Sequence, residues 1–197
     1  MNVSRETQER LATYAQLLRK WNPKVNLVAP GTINDLETRH IADSAQVHAI
    51  ARRTDDHWVD LGTGGGFPGL VACILSAETA PELQFTFVES DQRKATFLRT
   101  VLRETGLSAT VIAKRIEKIP PLSADILSAR ALAPLDTLLD LALPHGTADT
   151  QFLFPKGANW KKEVDNARRR WSFDLEIHKS DLDPQSVILE LGDVRNV

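Results

Sequence analysis

The sequence contains a single cysteine, Cys73, in 197 residues. One thiol cannot form an intramolecular disulfide, which excludes a disulfide-stabilised secreted domain and indicates a reducing compartment. Long apolar runs are also missing, because the longest, Leu70 to Leu75, is far shorter than the roughly 20 residues of a membrane span. The first residues show no apolar leader. We therefore expect a soluble, cytoplasmic protein with no membrane association.

A recognisable catalytic constellation is missing as well. The five histidines are scattered, and no Ser-His-Asp, Cys-His or metal-ligand spacing occurs, so we expect no metal. Residues 56–90 contain no Lys or Arg, whereas residues 91–130 contain eight basic and four acidic side chains. This asymmetry permits a polyanionic partner although the formal net charge is only −2. With 42% hydrophobic residues the chain can bury one core, and we expect one domain over residues 1–197.

The most informative feature that is present is the stretch from Asp60 to Gly69, in which five of ten residues are glycine. It follows an apolar run that predicts a strand, and Pro68 suits the first turn of a following helix. Glycine permits positive φ and lets a ligand lie against backbone amides at the positive end of that helix. A glycine turn without a ligand is disfavoured, because so many glycines cost stability. The stretch therefore predicts a nucleotide-like ligand site.

Hydrophobic periodicity divides the chain into two parts. It predicts a helix over residues 4–20, ended by Trp21-Asn22-Pro23, and a second helix over residues 32–53. We expect residues 1–55 to form a helical cap. From residue 57, short β-rich runs alternate with helical stretches, which predicts an α/β core over residues 56–197 with a mostly parallel, doubly wound sheet. The strands are expected near 57–61, 84–89, 109–113, 124–129 and 151–154, and an antiparallel pair near 172–178 and 187–191.

Charged side chains follow three of the parallel strands, at the edge where such sheets bind ligands. Glu89 ends the second strand, and a carboxylate there can accept both ribose hydroxyls of an adenosine cofactor. Arg130 follows the fourth strand and Lys156 the fifth, so we expect both cations on one rim. Two cations in this position suit an RNA phosphate or the O6 atom of guanine.

The pattern acid-x-Gly-x-Gly-x-Gly after the first strand resembles motif I of the class I methyltransferases, which use S-adenosylmethionine. That resemblance implies a Rossmann-like fold with an antiparallel last strand. In such enzymes the residues after the third strand, here Ile116 and Glu117, frame the adenine. By resemblance the cofactor-binding residues are Asp60, Gly62, Gly64, Gly66, Phe67, Glu89, Ile116, Glu117 and Arg130.

Shorter motifs add a more specific resemblance over about residues 17–160. They are Lys-Trp-Asn at 20–22, Arg-His-Ile-x-Asp-Ser at 39–44, Gly-x-Pro-Gly at 66–69, Ser-Ala-Arg-Ala at 128–131 and Lys-Gly at 156–157. Their order resembles the small-subunit ribosomal RNA methyltransferase G family, also called glucose-inhibited division protein B. That family methylates N7 of a guanine in 16S RNA, at position 527. The resemblance implies 16S ribosomal RNA, or the small ribosomal subunit, as the partner of an expected monomer.

The expected RNA-binding residues are Arg39, His40, Arg130 and Lys156, of which Arg130 and Lys156 position the substrate. Guanine N7 carries an in-plane lone pair, so it can attack the sulfonium methyl in line without a general base. Two alternatives remain open. A nicotinamide-dependent oxidoreductase fits the G-x-G-x-x-G match of Gly64, Gly66 and Gly69, although Phe67 stands where the register from Gly62 requires glycine. A non-catalytic RNA-binding module with this fold is the other.

Overall fold

Seven strands form one mixed sheet in the computed structural model, which describes residues 3–52 and 57–197. The strands are β1 (His57–Leu61), β2 (Gln84–Val88), β3 (Thr110–Ile112), β4 (Ala124–Ser128), β5 (Gly146–Lys156), β6 (Trp171–Lys179) and β7 (Val187–Asn196). The α-helices are α1 (Arg5–Val25), α2 (Ala42–Ile50), α3 (Gly69–Thr79), α4 (Gln92–Thr105), α5 (Leu135–Ala142) and α6 (Trp160–Ala167).

The order of the strands determines where a ligand can bind. Across the sheet it is β3-β2-β1-β4-β5-β7-β6. Strands β1 to β5 pair in parallel, and β7 runs antiparallel to both β5 and β6. The winding direction reverses between β1 and β4, and ligands bind doubly wound sheets beyond the carboxyl ends of such neighbours. The predicted parallel sheet and its antiparallel final pair are confirmed.

Two apolar clusters cover the two faces of the sheet. Trp58 of β1 belongs to the cluster with α1 to α4, whereas Val59 belongs to the cluster with α5 and α6, because successive strand residues point to opposite faces. Helix α3 is buried from Gly69 to Ser76, since it packs beneath α1 and α2. Its sequence is therefore apolar on all sides. Cys73 lies in this helix, where burial raises the pKa of its thiol to about 12.

Helix α1 is longer than predicted. The expected stop at residues 21–23 was wrong, because α1 continues to Val25 with Pro23 inside it. Proline lacks the N–H that would donate to the carbonyl oxygen four residues earlier, and at position 23 this loss falls on the last turn of the helix. Asn22 closes the end instead, since its Oδ1 accepts hydrogen bonds from the N–H groups of Leu27 and the next residue at 2.8 and 2.9 Å. Asn26 then ends the helix in the left-handed conformation.

The predicted second helix consists of three segments. A 3-10 turn, Pro30–Asp35, leads into a π-helical turn, Leu36–Ile41, which is followed by α2. Leu36 and Ile41 are both buried. Residues five apart lie about 140° apart on an α-helix, but share a face on a π-helix. The predicted helix end at residue 53 and the boundary between cap and core at 55 and 56 fall outside the described residues.

The structure differs from the sequence-based expectations at two further places, both in the α/β core. A helix was expected between β3 and β4, but the chain there forms only the 3-10 turn Ile116–Lys118, because Pro120 and Pro121 follow it. Strand β5 is longer at both ends than predicted and includes Lys156. Among the described helices, none is both long and apolar enough to cross a membrane.

Candidate active site

The glycine loop lies at the carboxyl end of β1. Gly62, Gly64 and Gly66 have φ angles of 65°, 57° and 106°, which L side chains rarely adopt. The Gly62 N–H donates to the carbonyl oxygen of Val88 at 2.8 Å, which ties the loop to the end of β2. A Cβ atom at Gly62 would also lie 2.7 Å from Cδ1 of Leu132. Glycine is therefore favoured at this position by the backbone conformation, and any side chain would also displace the end of the Leu132 side chain.

Asp60 lies beneath this loop and is completely buried. Its Oδ1 accepts a hydrogen bond from the Ser128 hydroxyl at 2.6 Å, and its Oδ2 accepts one from the N–H of Gly69 at 3.3 Å. Burial raises the pKa of Asp60 to about 6, against the opposing effect of these hydrogen bonds. The carboxylate thus joins β1, β4 and the start of α3, and its direct contact with a cofactor stays a prediction.

Glu89 comes directly after β2 and faces the glycine loop. Its Oε2 accepts a hydrogen bond from the Gly64 N–H at 2.9 Å, and its Oε1 accepts one from the Asp91 N–H at 2.7 Å. The residue is only 8% exposed. An ionised carboxylate has about four lone-pair sites, so each oxygen can still accept a hydrogen bond from a ligand.

A cavity of about 460 Å³ opens beside Glu89, and we call it the β1/β2 cavity. Its volume lies within the range of small-molecule sites. Five residues predicted to bind the cofactor line it together, namely Gly62, Gly64, Glu89, Ile116 and Glu117. Asp60, Gly66, Phe67 and Arg130, which were also predicted to bind it, are not among its lining residues.

A second cavity of about 460 Å³, the β4/β5 cavity, lies on the other side of the chain that follows β4. Arg130 and Lys156 both line it, as expected for two cations on one rim. Residues 131–133, the wall segment, line both cavities. Ala131 within it has a φ of 54°, a strained conformation for a residue with a side chain. One short, strained segment therefore separates the two spaces.

Arg130 is held by the aromatic ring of Phe67 in the glycine loop and by the imidazole of His40 in the N-terminal part of the chain. Its guanidinium carbon lies 4.8 Å from the centroid of the Phe67 ring, and its Nη1 lies 3.2 Å from Nδ1 of His40. Because a guanidinium only donates, His40 Nδ1 must accept, and His40 Nε2 then donates to the Thr32 hydroxyl at 2.9 Å. Burial, together with the charge of Arg130, lowers the pKa of His40 to about 4. His40 is therefore a neutral support for Arg130 at neutral pH.

Tyr14 connects α1 to the glycine loop, a role that the sequence did not reveal. Its hydroxyl donates to the carbonyl oxygen of Gly65 at 2.6 Å, and its ring centroid lies 5.5 Å from that of Phe67. Burial raises the pKa of this hydroxyl, so Tyr14 remains a donor. A Cβ atom at Gly65 would lie 2.9 Å from the carbonyl oxygen of Leu27. The N-terminal segments thus fix the shape of the loop.

Lys156 is bound within the protein. Its ammonium group donates to the carbonyl oxygen of Ala133 at 2.8 Å and to Oε2 of Glu163 at 2.8 Å, and its side chain is 8% exposed. The same Glu163 oxygen accepts a hydrogen bond from the Leu135 N–H at 2.9 Å. Glu163 and Lys156 together therefore anchor the wall segment and the start of α5.

Arg39 and Asp43 lie on the N-terminal side of the β4/β5 cavity. Arg39 is exposed and lines a depression together with Asp43 and Asp183. Arg39 and Asp43 are four residues apart, but they form no ion pair within the described part of the chain. Asp43 lines the β4/β5 cavity itself. It was missed as a site residue, although it belongs to the motif at residues 39–44.

This strand order, the glycine loop and the carboxylate after β2 define a class I methyltransferase. Two solved structures share the fold: a TehB-like, S-adenosylmethionine-dependent methyltransferase from Corynebacterium glutamicum and one from Aquifex aeolicus. The first has a TM-score of 0.61 at 15% identity, and the match covers 93% of this chain and 99% of that structure. The second has a TM-score of 0.61 at 13% identity, and the match covers 90% of this chain and 97% of that structure. The chain belongs to the rRNA small subunit methyltransferase G family, whose model matches residues 7–183.

Relatives named ribosomal RNA small subunit methyltransferase G support this membership over the full chain. The protein of Ruegeria pomeroyi is 53% identical, and the match covers 100% of this chain and 96% of the relative. The protein of Paracoccus denitrificans is 50% identical, and the match covers 100% of both chains. The family resemblance is confirmed. The protein is an enzyme that methylates ribosomal RNA, and its family implies the use of S-adenosylmethionine. Membership rejects both alternatives, the oxidoreductase and the non-catalytic module.

Proposed function

We propose that this protein transfers a methyl group from S-adenosylmethionine to N7 of a guanine in 16S ribosomal RNA, at position 527 by family resemblance. The observation that carries this proposal is the pair of cavities of about 460 Å³ that share the wall segment. One suits a nucleoside cofactor and the other a purine base. The proposed enzyme is a monomer of one domain, residues 1–197, that acts in the cytoplasm on the small ribosomal subunit or its RNA.

The β1/β2 cavity supplies groups that complement S-adenosylmethionine. Glu89 offers carboxylate lone pairs to the two ribose hydroxyls, and Ile116 offers an apolar surface to the adenine beside Glu117. Gly62 and Gly64 leave the backbone bare for the rest of the molecule. When bound, S-adenosylmethionine would supply an electrophilic sulfonium methyl group: N7 donates its lone pair to the methyl carbon in line, the carbon–sulfur bond breaks, and S-adenosylhomocysteine leaves.

The proposed reaction requires no general base, because N7 has no proton to lose. His40 is unsuited to such a role in any case, since both of its ring nitrogens are engaged with Arg130 and Thr32. The protein's contribution is to hold the base in line, an effect that can supply about 7–11 kcal/mol in favourable cases. A stacked or paired guanine must first be exposed, at a cost of a few kcal/mol.

The proposed RNA-binding residues are Arg39, His40, Arg130 and Lys156, and their surroundings suggest direct contact for some and support of the site for others. Arg39 is exposed and suits a backbone phosphate. Arg130 lines the β4/β5 cavity and suits the guanine edge. His40 acts through Arg130, and Lys156 acts on the wall segment while its remaining donor faces the cavity.

Replacing Arg39 with alanine should weaken RNA binding and reduce the slope of log K against log salt by about 0.7–0.9, because one phosphate contact is lost. Replacing Lys156 with alanine should lower both RNA binding and methylation, because the wall segment loses its anchor. Filter binding of small subunits across a salt series and transfer of labelled methyl groups measure these effects. Lys161→Ala, on the exposed face of α6, is the matched control and should change neither. Unchanged methylation by Lys156→Ala would contradict the assignment.

A further inference from the structure

We propose that Asp43 selects guanine over adenine, by accepting hydrogen bonds from the N1–H and the N2 amino group of the base in the β4/β5 cavity. This inference rests on the proposed function. Selection is needed because adenine also presents an N7 lone pair to the methyl donor. The two purines differ at positions 1, 2 and 6, so the distinguishing group must lie along that edge.

Asp43 has the position and the free acceptor capacity for this task. It is half-buried at the start of α2 and lines the β4/β5 cavity. Its Oδ1 accepts a hydrogen bond from the Ser180 hydroxyl at 3.1 Å. Within residues 3–52 and 57–197, no Lys, Arg or His forms an ion pair with it. A carboxylate held by one hydroxyl retains most of its lone pairs for a ligand.

The other charged groups of the cavity are already committed to protein partners. Lys156 and Glu163 neutralise each other at 2.8 Å. Arg130 is fixed by His40 and by the Phe67 ring, yet its fork still provides further donors. Among the described residues lining this cavity, Asp43 is thus the carboxylate without a cationic partner. The Asp43 carboxylate therefore keeps oxygens that can accept hydrogen bonds from a ligand in this cavity.

Arg130 and Asp43 offer the donor and the acceptor that neighbouring groups on the edge of guanine require. Going around the base from N7, the atoms are O6, then N1–H, then the N2 amino group. Arg130 directly precedes the wall segment in the chain, and both Arg130 and Asp43 line the cavity. Burial lowers the pKa of Arg130, and the nearby charge of Asp43 opposes this effect, as expected for neighbours. Adenine would set its N6 amino group against Arg130 and its N1 lone pair against Asp43, so both contacts would be lost.

The test compares guanine with inosine, which keeps N7, O6 and N1–H but lacks the N2 amino group. Ligated 16S RNA carrying either base at position 527 is assembled into small subunits and methylated by the wild type, Asp43→Asn and Asp181→Asn. We expect the wild type to prefer guanine to inosine by about 10-fold in kcat/KM. For Asp43→Asn we expect guanine methylation to fall about 10- to 100-fold and the preference to disappear. Asp181→Asn removes an exposed carboxylate next to Ser180 and should behave as the wild type.

The preference for guanine over inosine is a ratio of two kcat/KM values measured with the same protein. Partial unfolding of a variant lowers both values equally and does not alter the ratio, and the affinity for S-adenosylmethionine checks the fold separately. A wild-type preference for guanine that persists in Asp43→Asn overturns the assignment of Asp43. Equal wild-type rates on guanine and inosine overturn it as well. Failure of the wild type to methylate the guanine RNA overturns the proposed function itself. The two failures are therefore distinguishable.

Discussion

Replacing Glu89 with alanine should weaken the binding of S-adenosylmethionine by about 100-fold or more. Hydrogen bonds to a charged group contribute about 1.5–3 kcal/mol each, and the proposed carboxylate accepts two from the ribose. The same change releases the Gly64 and Asp91 N–H groups, so the glycine loop also loses an anchor. Isothermal titration calorimetry with S-adenosylhomocysteine, which has the same ribose, measures the effect directly.

A second comparison separates the ribose contact from the loop anchor. The 3′-deoxy analogue of S-adenosylhomocysteine should bind the wild type about 10-fold more weakly than S-adenosylhomocysteine itself. The Glu89→Ala variant should bind the two compounds with equal affinity, because it has no carboxylate to lose a contact with. Glu104→Ala, an exposed carboxylate on α4, is the matched control and should leave both affinities unchanged. An affinity of Glu89→Ala within about threefold of the wild type would contradict the assignment of Glu89.

Replacing Arg130 with methionine should lower kcat/KM for RNA methylation by about 100-fold while the affinity for S-adenosylmethionine changes less than about threefold. Arg130 lines the β4/β5 cavity and not the β1/β2 cavity, and methionine keeps an apolar stem against the Phe67 ring without donors. Single-turnover methylation of small subunits, with cofactor titration in parallel, separates the two quantities.

The conservative change Arg130→Lys should recover only part of the rate, because an ammonium group lacks the planar fork that pairs with a base edge. Arg93→Met, an exposed arginine at the start of α4, is the control for loss of positive charge. A large loss of cofactor affinity with an unchanged rate would instead assign Arg130 to the cofactor site, as the family resemblance alone implies.

Features encoded in short stretches of sequence were predicted correctly. The glycine loop, the mostly parallel sheet and the place of Glu89 follow from local patterns, because a glycine run and a strand-ending carboxylate have few structural uses. The carboxyl ends of neighbouring parallel strands must also share one edge. That rule predicts that Gly62 and Glu89 lie close together, and Ile116, which the resemblance added, lines the same cavity.

Features that depend on contacts between distant segments were not predicted. Nothing near Lys156 in the sequence shows that its ammonium group will bind the carbonyl oxygen of Ala133. Likewise, Tyr14 occupies an ordinary apolar position of an amphipathic helix, and only packing reveals its hydrogen bond to Gly65. The π-helical turn arises because Leu36 and Ile41 must both be buried, a demand that helical periodicity does not express.

The most direct test of the central claim is to map 7-methylguanine in 16S RNA. Small subunits from a strain lacking this protein are incubated with S-adenosylmethionine and the purified enzyme, and the RNA is reduced, cleaved at 7-methylguanine and analysed by reverse transcription. We predict a stop at guanine 527 that is absent before incubation, appears with the wild type and stays absent with Glu89→Ala. A stop at 527 that persists in the deletion strain, or methylation at another base or atom, would contradict the proposed function.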